Sequence, residues 1–305
     1  MVGLTVATSL AAPAAFAEQC STVRFSDVGW TDITATTAVA TELVNGMGYQ
    51  SSTQLLSVPV TYTSLSNGDI DVFLGNWMPT MEADIAKYRE NGTVETVRAN
   101  LEGAKYTLAV PQYAYDAGLK SFADIAKFKG ELKNRIYGIE PGNDGNRLIQ
   151  SMIDDNAFGL KGFKLVESSE AGMISQVSRS AKREQWVVFL GWAPHPMNAN
   201  IDMTYLSGGD DFFGPNYGGA SVHTNVRKNY TQECPNVGTL LKNLSFSLEM
   251  ENEIMGSILN DGMKPKVAAR TWLQANPEAL NDWLEGVTTK NGDAALPAVR
   301  NYLDL

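Results

Sequence analysis

The stretch that decides the fold is "DVFLGNWMPT", Asp71 to Thr80, in which a short apolar run enters a turn that carries a tryptophan. A related stretch, "VVFLGWAPHPM", runs from Val187 to Met197. Short apolar runs bounded by Gly and Pro are typical of buried strands. Both predicted strands end with an indole on a turn, which raises the question of whether the two turns meet.

The sequence around both stretches alternates between strand and helix patterns. On the N-terminal side we predict strands at residues 22–30, 55–62 and 70–77. Between them we predict a helix at 32–47, with Thr31 or Asp32 as its N-cap, and a short helix or turn at 63–69. After a strand at 104–111 the pattern repeats, with helices at 121–133, 146–157 and 172–185 and strands at 135–141, 163–168 and 186–192. A strand at 218–226 then leads into mostly helical sequence at 235–260, 265–276 and 277–284. Apolar strands flanked by helices are typical of parallel sheets covered on both faces, so we predict an α/β fold.

The chain of 305 residues is long enough for two domains, and its two cysteines indicate how it divides between them. Neither Cys20 nor Cys234 belongs to a C-x-x-C motif or to a Cys/His cluster. In an exported protein, two such cysteines most simply form one disulfide; the alternative is two unrelated buried thiols. The bond would hold both ends of the chain in one lobe. We therefore predict a discontinuous first lobe, residues 18–105 plus 214–305, and a second lobe, residues 106–213.

The first seventeen residues, "MVGLTVATSLAAPAAFA", resemble a signal peptide. They are small, apolar and uncharged, and they end in Ala-Phe-Ala before Glu18, although the basic n-region is missing. Cys20 follows the predicted cleavage site by three residues instead of standing at it, which argues against a lipid-anchored terminus. The sequence thus predicts an exported protein.

The composition narrows the classes of partner. Hydrophobic residues make up 44% of the chain and charged residues 19%, which is typical of a soluble globular protein. The net charge is -10, and no basic stripe is available to neutralise phosphates, so nucleic acid is not an expected partner. An acidic surface instead attracts cations.

Three of the six tryptophans follow predicted strands at equivalent places. Ligands of open α/β sheets bind beyond the carboxyl ends of the strands, and Trp30, Trp77 and Trp192 all stand there. One tryptophan at a strand end more often covers the core, but three at equivalent places favour a binding site. The remaining three are expected to pack within the protein: Trp186, Trp272 and Trp283.

Several rings around one cleft form an electron-rich box. A quaternary ammonium group spreads its charge over methyl groups and has no N–H donors, so aromatic faces suit it better than a carboxylate alone. Each desolvated ring contributes roughly 0.5–2 kcal/mol. The predicted ligand is therefore a small quaternary ammonium compound.

Six motifs are specific enough to suggest a family: "FSDVGWTDITATTAVA", "VPVTYTSLSNGDIDVFLGNWMPTM", "GIEPGNDGNRLI", "VFLGWAPHPMNA", "TYLSGGDDFFGPNYGGASVHTNVR" and "NLSFSLEMENEIMG". Together they resemble the periplasmic choline-binding proteins of ABC importers, within the larger glycine-betaine/proline-betaine binding family. The resemblance covers nearly the whole chain after residue 17. It implies a two-lobe α/β periplasmic binding protein (type II-like), with mixed, mostly parallel sheets, helices on both faces, and the ligand in the interlobe cleft. It also implies a periplasmic monomer that delivers choline, or acetylcholine, to a membrane permease, with no cofactor and no metal.

The resemblance assigns roles to six residues. In that family four aromatic side chains enclose the trimethylammonium group, and by motif they are Trp30, Trp77, Tyr106 and Trp192. Two polar side chains meet the choline hydroxyl, and by motif they are Asp32 and Asn143. The resemblance thus implies that the two related turns meet and that each supplies one wall of the site from opposite lobes.

The chemistry of Asp32 bears on selectivity. A carboxylate accepts a hydrogen bond from an alcohol and attracts a cation, whereas it repels the carboxylate of a betaine. The sequence therefore favours choline over betaine. A receptor for betaine or carnitine in the same family stays the alternative.

An enzyme is the competing class of function. The chain has two histidines, His195 and His223, and His195 follows Trp192 closely enough to suggest a base near the box, as in a choline-ester hydrolase. However, neither a G-x-S-x-G motif nor a histidine pair with metal-ligand spacing is present. The acidic pair Asp210 and Asp211 is interpreted as part of a solvated or hinge-proximal loop. We therefore expect a binding protein without catalytic residues.

Overall fold

The structure of the protein is a computed structural model that describes residues 20–305; the predicted signal peptide, residues 1–17, lies outside them. The described residues form nine strands: β1 (Thr22–Asp27), β2 (Gln50–Leu55), β3 (Val72–Met78), β4 (Val94–Pro111), β5 (Arg135–Tyr137), β6 (Lys164–Val166), β7 (Phe189–Ala193), β8 (Met203–Tyr205) and β9 (Gly219–Arg227).

Helices fill most of the intervening sequence. In the N-terminal half they are α1 (Thr31–Gly46), α2 (Val58–Asn67), α3 (Glu82–Glu90), α4 (Gln112–Asp116), α5 (Phe122–Ile125) and α6 (Asp144–Asp154). In the C-terminal half they are α7 (Glu170–Ala181), α8 (Met197–Asn200), α9 (Asp210–Phe213), α10 (Pro215–Gly218), α11 (Tyr230–Glu233), α12 (Pro235–Asn243), α13 (Leu248–Leu259), α14 (Pro265–Ala275), α15 (Ala279–Trp283) and α16 (Ala295–Tyr302). Two short 3₁₀ segments complete the set, Ala126–Phe128 and Ala157–Gly159.

One mixed sheet connects the whole fold. Its strand order is β2-β1-β3-β9-β4-β7-β5-β6, and β8 pairs with β4. The strands at each end are parallel: β1 pairs with β2 and β3, and β5 pairs with β6 and β7. We call the β1-β2-β3 side with its helices the first lobe and the β5-β6-β7 side with its helices the second lobe. The predicted α/β fold class is confirmed.

Two long antiparallel strands, β4 and β9, lie between the lobes. The first part of β4 pairs with β9, and from Lys105 onward β4 pairs with β7. Tyr106, which we predict as the first residue of the second lobe, therefore lies in a strand that continues from one lobe into the other. The division of the chain at residues 105/106 and 213/214 stays a prediction.

The C-terminal helices return to the first lobe. Helices α13, α14 and α16 pack on α1, and the disulfide joins Cys20 to Cys234 with a Cα–Cα distance of 5.6 Å. That distance lies in the usual range for a disulfide. The predicted bond between the two cysteines is present, and it joins residues that are 214 positions apart in the sequence.

The predicted strand at residues 55–62 is wrong. Residues 58–67 form helix α2, with Pro59 in its first turn and Gly68 in a left-handed conformation after its end. The buried side chains of α2 are Val58, Thr61, Tyr62 and Leu65, a spacing of three and four residues that belongs to a helix. The β-branched composition misled the prediction, and the strand of this region is the polar, mostly exposed β2.

Other boundaries also differ from the predictions. The predicted helix at residues 121–133 is only α5 followed by one 3₁₀ turn, and α3 and the first half of β4 were not predicted. Helix α1 begins at Thr31, and Trp30, in the N-cap position, makes no side-chain cap. The prediction that Thr31 or Asp32 caps this helix is therefore wrong, because both lie inside its first turn.

No helix within residues 20–305 is long and apolar enough to cross a bilayer.

Candidate functional site

The first turn of α1 and the end of β3 place Asp32 beside Trp77. The two elements pack closely because residue 75 is glycine: a Cβ there would lie 2.7 Å from Ile33 Cγ1. The indole Nε1–H of Trp77 donates a hydrogen bond to Asp32 Oδ2 at 3.0 Å. The carboxylate of Asp32 is thereby oriented by a ring that belongs to the same candidate site.

Adjacent strands place Tyr106 opposite Trp192. The two residues are partners in the β4–β7 register, and their ring centroids lie 6.4 Å apart at an interplanar angle of 80°. The Tyr106 hydroxyl donates to Asn143 Oδ1 at 2.9 Å. This approach requires glycine at residue 145, because a Cβ there would lie 2.1 Å from Tyr106 Oη.

Asn143 is the N-cap of α6. Its Oδ1 accepts a second hydrogen bond, from the backbone N–H of Asn146 at 3.1 Å, and its Nδ2 donates to Asp144 Oδ1 at 3.1 Å. The residue is thus a helix cap, as its turn sequence suggests. The same contacts hold its amide in one orientation.

Trp30 joins the site from the turn after β1. Its indole Nε1–H donates to Glu140 Oε1 at 2.7 Å, so this ring of the first lobe is fixed by a carboxylate of the second lobe. Trp77 completes the arrangement, since its ring centroid lies 5.9 Å from that of Tyr106.

All six predicted site residues line one cavity of about 270 Å³ between the lobes. The turns after β3 and β7 therefore meet, and each contains a cis X-Pro bond, Met78-Pro79 and Ala193-Pro194. The lining residues are Trp30, Asp32, Trp77, Tyr106, Ile139, Asn143, Asp144 and Trp192.

Carboxyl groups surround this cavity, and no lysine or arginine is among its lining residues in the described chain. Burial, with a smaller effect of the neighbouring Glu170 carboxylate, raises the pKa of Asp32 from 3.8 to about 8. Burial likewise raises the pKa of Asp144 to about 6 and that of Glu140 to about 7. A bound cation would stabilise the charged form of each group.

Asp32 keeps one oxygen available. Its Oδ1 is buried and makes no hydrogen bond to any other residue of the described chain. A buried oxygen without a partner is costly, which favours a ligand that donates a hydrogen bond to it.

The remaining tryptophans pack elsewhere, as predicted. Trp272 stacks on Trp283 at 6.2 Å, and the ring of Trp186 lies 4.8 Å from that of Phe128. The sequence reasoning missed Ile139, Asp144, Glu140 and Glu170. Asp144 follows Asn143 directly, which was a usable signal, whereas Ile139 and Glu140 follow β5 and Glu170 begins α7, all without a distinguishing local pattern.

His195 does not line the cavity. Its Nδ1 accepts from the backbone N–H of Met197 at 2.9 Å, so Nε2 carries the proton and faces Glu170 Oε1 at 3.1 Å. Both ring nitrogens are therefore engaged, and the edge of the imidazole contacts Trp192 at 4.9 Å between centroids. Asp210 and Asp211 are exposed, and residues 20–305 contain no group of three or more His, Cys, Asp or Glu placed to hold a metal ion.

Comparison with known proteins gives a consistent set of relatives. The family described as the substrate binding domain of the ABC-type glycine betaine transport system matches residues 21–275. A structure of an ABC-transporter choline binding protein in complex with choline is 66% identical, covers 94% of this chain and 99% of its own, and gives a TM-score of 0.93. The lactococcal glycine betaine-binding protein in its closed, liganded conformation is 26% identical, covers 86% of this chain and 98% of its own, and gives a TM-score of 0.78.

The conformation can be compared as well. A structure of a choline binding protein in an unliganded, semi-closed conformation is also 66% identical over 94% of this chain and 99% of its own, but its TM-score is 0.87. The present structure therefore lies closer to the choline complex, with a TM-score of 0.93, than to the semi-closed form. The contacts between the lobes described above belong to an arrangement that resembles the liganded one.

Proposed function

The chain belongs to the family of substrate-binding domains of ABC-type glycine betaine transport systems, and on this premise we propose that it captures choline between its two lobes. The observation that carries the proposal is the cavity in which four aromatic rings from both lobes meet two buried carboxyl groups, Asp32 and Asp144, and the amide of Asn143.

The four rings form the site for the trimethylammonium group. Each desolvated ring contributes roughly 0.5–2 kcal/mol toward a quaternary ammonium. The combined attraction is several kcal/mol, compared with the roughly 8 kcal/mol that corresponds to micromolar affinity. The surrounding carboxyl groups add long-range attraction for a cation, and no basic side chain of the lining opposes it.

Asp32 and Asn143 form the site for the hydroxyl group. Asp32 Oδ1 has no hydrogen-bond partner within residues 20–305 and accepts from the alcohol. An asparagine amide has two N–H groups, and Asn143 Nδ2 has one described partner, Asp144. The second N–H donates to the alcohol oxygen. A glycine betaine carboxylate accepts from Asn143 but cannot donate to Asp32, so choline fits this pair better.

Transport follows from the family. We propose that the protein is exported to the periplasm, acts there as a monomer, and delivers choline to a membrane permease driven by a separate ATPase. Acetylcholine is a second proposed ligand, because it carries the same trimethylammonium group.

Titration calorimetry of choline, acetylcholine, glycine betaine and carnitine tests the proposal. We expect choline to bind more tightly than glycine betaine. Asp32→Asn should lower the affinity for choline and reduce the difference in affinity between the two ligands. Tighter binding of glycine betaine to the wild-type protein would overturn the assignment of Asp32 and favour the betaine or carnitine receptor.

A choline-ester hydrolase is distinguished by turnover. We expect acetylcholine to be released unchanged after incubation with the protein, since both nitrogens of His195 are occupied away from the cavity. Release of choline faster than in buffer, with loss of that activity in His195→Ala, would contradict the binding role.

A further inference from the structure

Helix α1 receives its N-terminal cap from the other lobe. Trp30 stands in the N-cap position and provides no side-chain hydrogen bond. Instead, Glu170 Oε2 accepts from the backbone N–H of Thr31 at 2.9 Å, and Glu170 Oε1 accepts from the Thr31 hydroxyl. Glu170 is the first residue of α7 in the second lobe. A carboxylate at a helix N-terminus also interacts favourably with the helix dipole.

Glu170 is itself held in place by its own lobe. The carboxylate is buried, and the Nε2–H of His195 donates to its Oε1 at 3.1 Å. Because His195 Nδ1 is fixed by the Met197 backbone, the imidazole has one orientation and one tautomer. His195 therefore holds the carboxylate in the orientation in which it meets Thr31.

The contact lies among the six predicted site residues that line the cavity, which we call the cage: Trp30, Asp32, Trp77, Tyr106, Asn143 and Trp192. Thr31 stands between Trp30 and Asp32 in the chain, and His195 touches Trp192 edge to face. A shift of α1 relative to α7 would therefore move cage walls on both sides. No residue of this contact lines the cavity itself.

We propose that Glu170 is a positioning residue, whose bond to the N-terminus of α1 holds the two lobes closed and fixes the geometry of the cage. This inference rests on the proposed function, and it adds a contribution to affinity that does not touch the ligand. A ligand that binds the closed form gains affinity in proportion to the population of that form. Loss of the bond should therefore act mainly on the rate of ligand dissociation.

The first test compares choline dissociation from the wild type and from Glu170→Ala by stopped-flow tryptophan fluorescence. Charge-assisted hydrogen bonds correspond to a change of roughly ten- to a hundredfold, and we expect dissociation to accelerate within that range. Glu170→Gln, which keeps the shape and one acceptor, should have a smaller effect. An unchanged dissociation rate in both variants would overturn the proposal while leaving choline binding established.

A double-mutant cycle separates the bond from a general loss of structure. Thr31→Val removes the hydroxyl at nearly constant shape, and its effect should be much smaller in a Glu170→Ala background than in the wild type. Thr31→Ser keeps the hydroxyl and should release choline more slowly than Thr31→Val. Additive effects of Thr31→Val and Glu170→Ala would contradict a direct contact.

Asp124→Asn is the matched control. Its carboxylate also accepts hydrogen bonds at a helix N-terminus, from Ser121, but its described partners all lie in the second lobe: Lys120, Ser121 and Lys127. We expect this variant to lower stability without altering the dissociation rate. An equal acceleration in the control would mean that any loosening of the second lobe suffices, which would overturn the specific role of Glu170.

A second measurement does not require choline. Amide hydrogen exchange at residues 31–33 should be faster in Glu170→Ala than in the wild type, because the Thr31 N–H loses its acceptor. Equal exchange rates would contradict the cap whether or not choline is the ligand. Failure of the wild type to bind choline would count against the proposed function alone.

Discussion

Trp192 contributes one wall of the cage, and its removal is the simplest test at the scale of a residue. Trp192→Ala should weaken choline binding by about 1.4 kcal/mol or more, a tenfold increase in dissociation constant, because a desolvated aromatic face is lost. Titration calorimetry measures this. Trp192→Phe, which keeps a ring, should retain more affinity. Trp186→Ala is the control, since Trp186 packs on Phe128 outside the cavity. An unchanged choline dissociation constant in Trp192→Ala would show that the Trp192 ring does not contact the ligand.

The raised pKa of Asp32 predicts how choline binding depends on pH. Burial and Glu170 raise it to about 8, so below that pH the carboxyl in the cage carries a proton. Glu251 is the other carboxyl that interacts with it, and burial together with Asp32 raises the pKa of Glu251 well above its ordinary value. A cation favours the ionised form of Asp32, so choline binding should release a proton at neutral pH. Affinity should rise with pH up to about 8, by at most tenfold per unit, and then level off.

Calorimetry in buffers of different ionisation enthalpy measures the number of protons released. Asp32→Asn should abolish most of the pH dependence. Glycine betaine should behave in the opposite way, because its carboxylate is tolerated only beside a protonated Asp32. A choline affinity that decreases as the pH is raised from 6 to 8 would contradict this linkage, because the raised pKa of Asp32, about 8, predicts an increase.

The three strand-end tryptophans of the cage were predicted from the residues themselves, whereas Asp32, Tyr106 and Asn143 were assigned to it through the family motifs that they stand in. Trp30, Trp77 and Trp192 stand at equivalent strand ends, and the structure brings them together. Glu140 and Glu170 could not be found in this way. Glu140 lies in a turn and Glu170 is the first residue of α7, and their contacts with Trp30 and Thr31 exist only when the opposite lobe approaches.

At the scale of an element, α2 shows where local patterns mislead. Its sequence "VPVTYTSLSN" is rich in β-branched residues, which favours a strand by composition. The buried positions nevertheless follow a helical spacing, because the helix packs one face on the sheet. The polar strand β2, by contrast, has no apolar alternation, since it is an edge strand that is mostly exposed.

Helix α6 offers a test of how tightly an element must approach the cage. A Cβ at Gly145 would lie 2.1 Å from Tyr106 Oη, so Gly145→Ala should displace the phenol from Asn143. Overpacking of this kind typically costs about 1–3 kcal/mol of stability. We expect urea unfolding to report a loss in that range and calorimetry to report weaker choline binding.

Gly130→Ala provides the comparison for this substitution. A Cβ at Gly130 meets no atom of the described chain within 4 Å, and the residue is exposed. This variant should leave both stability and affinity nearly unchanged. Normal choline binding by Gly145→Ala would show that the contact of Tyr106 with Asn143 is dispensable.

At the scale of the whole molecule, the disulfide is the covalent link between the N-terminus and the C-terminal part of the first lobe. Replacement of both Cys20 and Cys234 by serine should lower the free energy of unfolding by about 2–4 kcal/mol, because the long loop between them is no longer closed in the unfolded chain. Urea unfolding measures this loss. Choline affinity should change little, since neither cysteine lines the cavity. Detection of two reactive thiols in the unfolded, unreduced wild-type protein would contradict the bond.

The sequence by itself determined the fold class, the disulfide pair and six of the eight side chains that line the cavity. These depend on features that are local or chemically rare: apolar strands between helices, two cysteines, and indoles on strand-ending turns. Only the tertiary structure decided whether the carboxyl group of Asp32 is ionised and which contacts hold the two lobes together. The pKa of Asp32 depends on burial and on Glu170, which lies 138 positions away in the chain, and the cap of α1 is supplied by that same distant carboxylate. Desolvation and long-range contacts exist only once the two lobes pack against each other, so no local pattern could specify them.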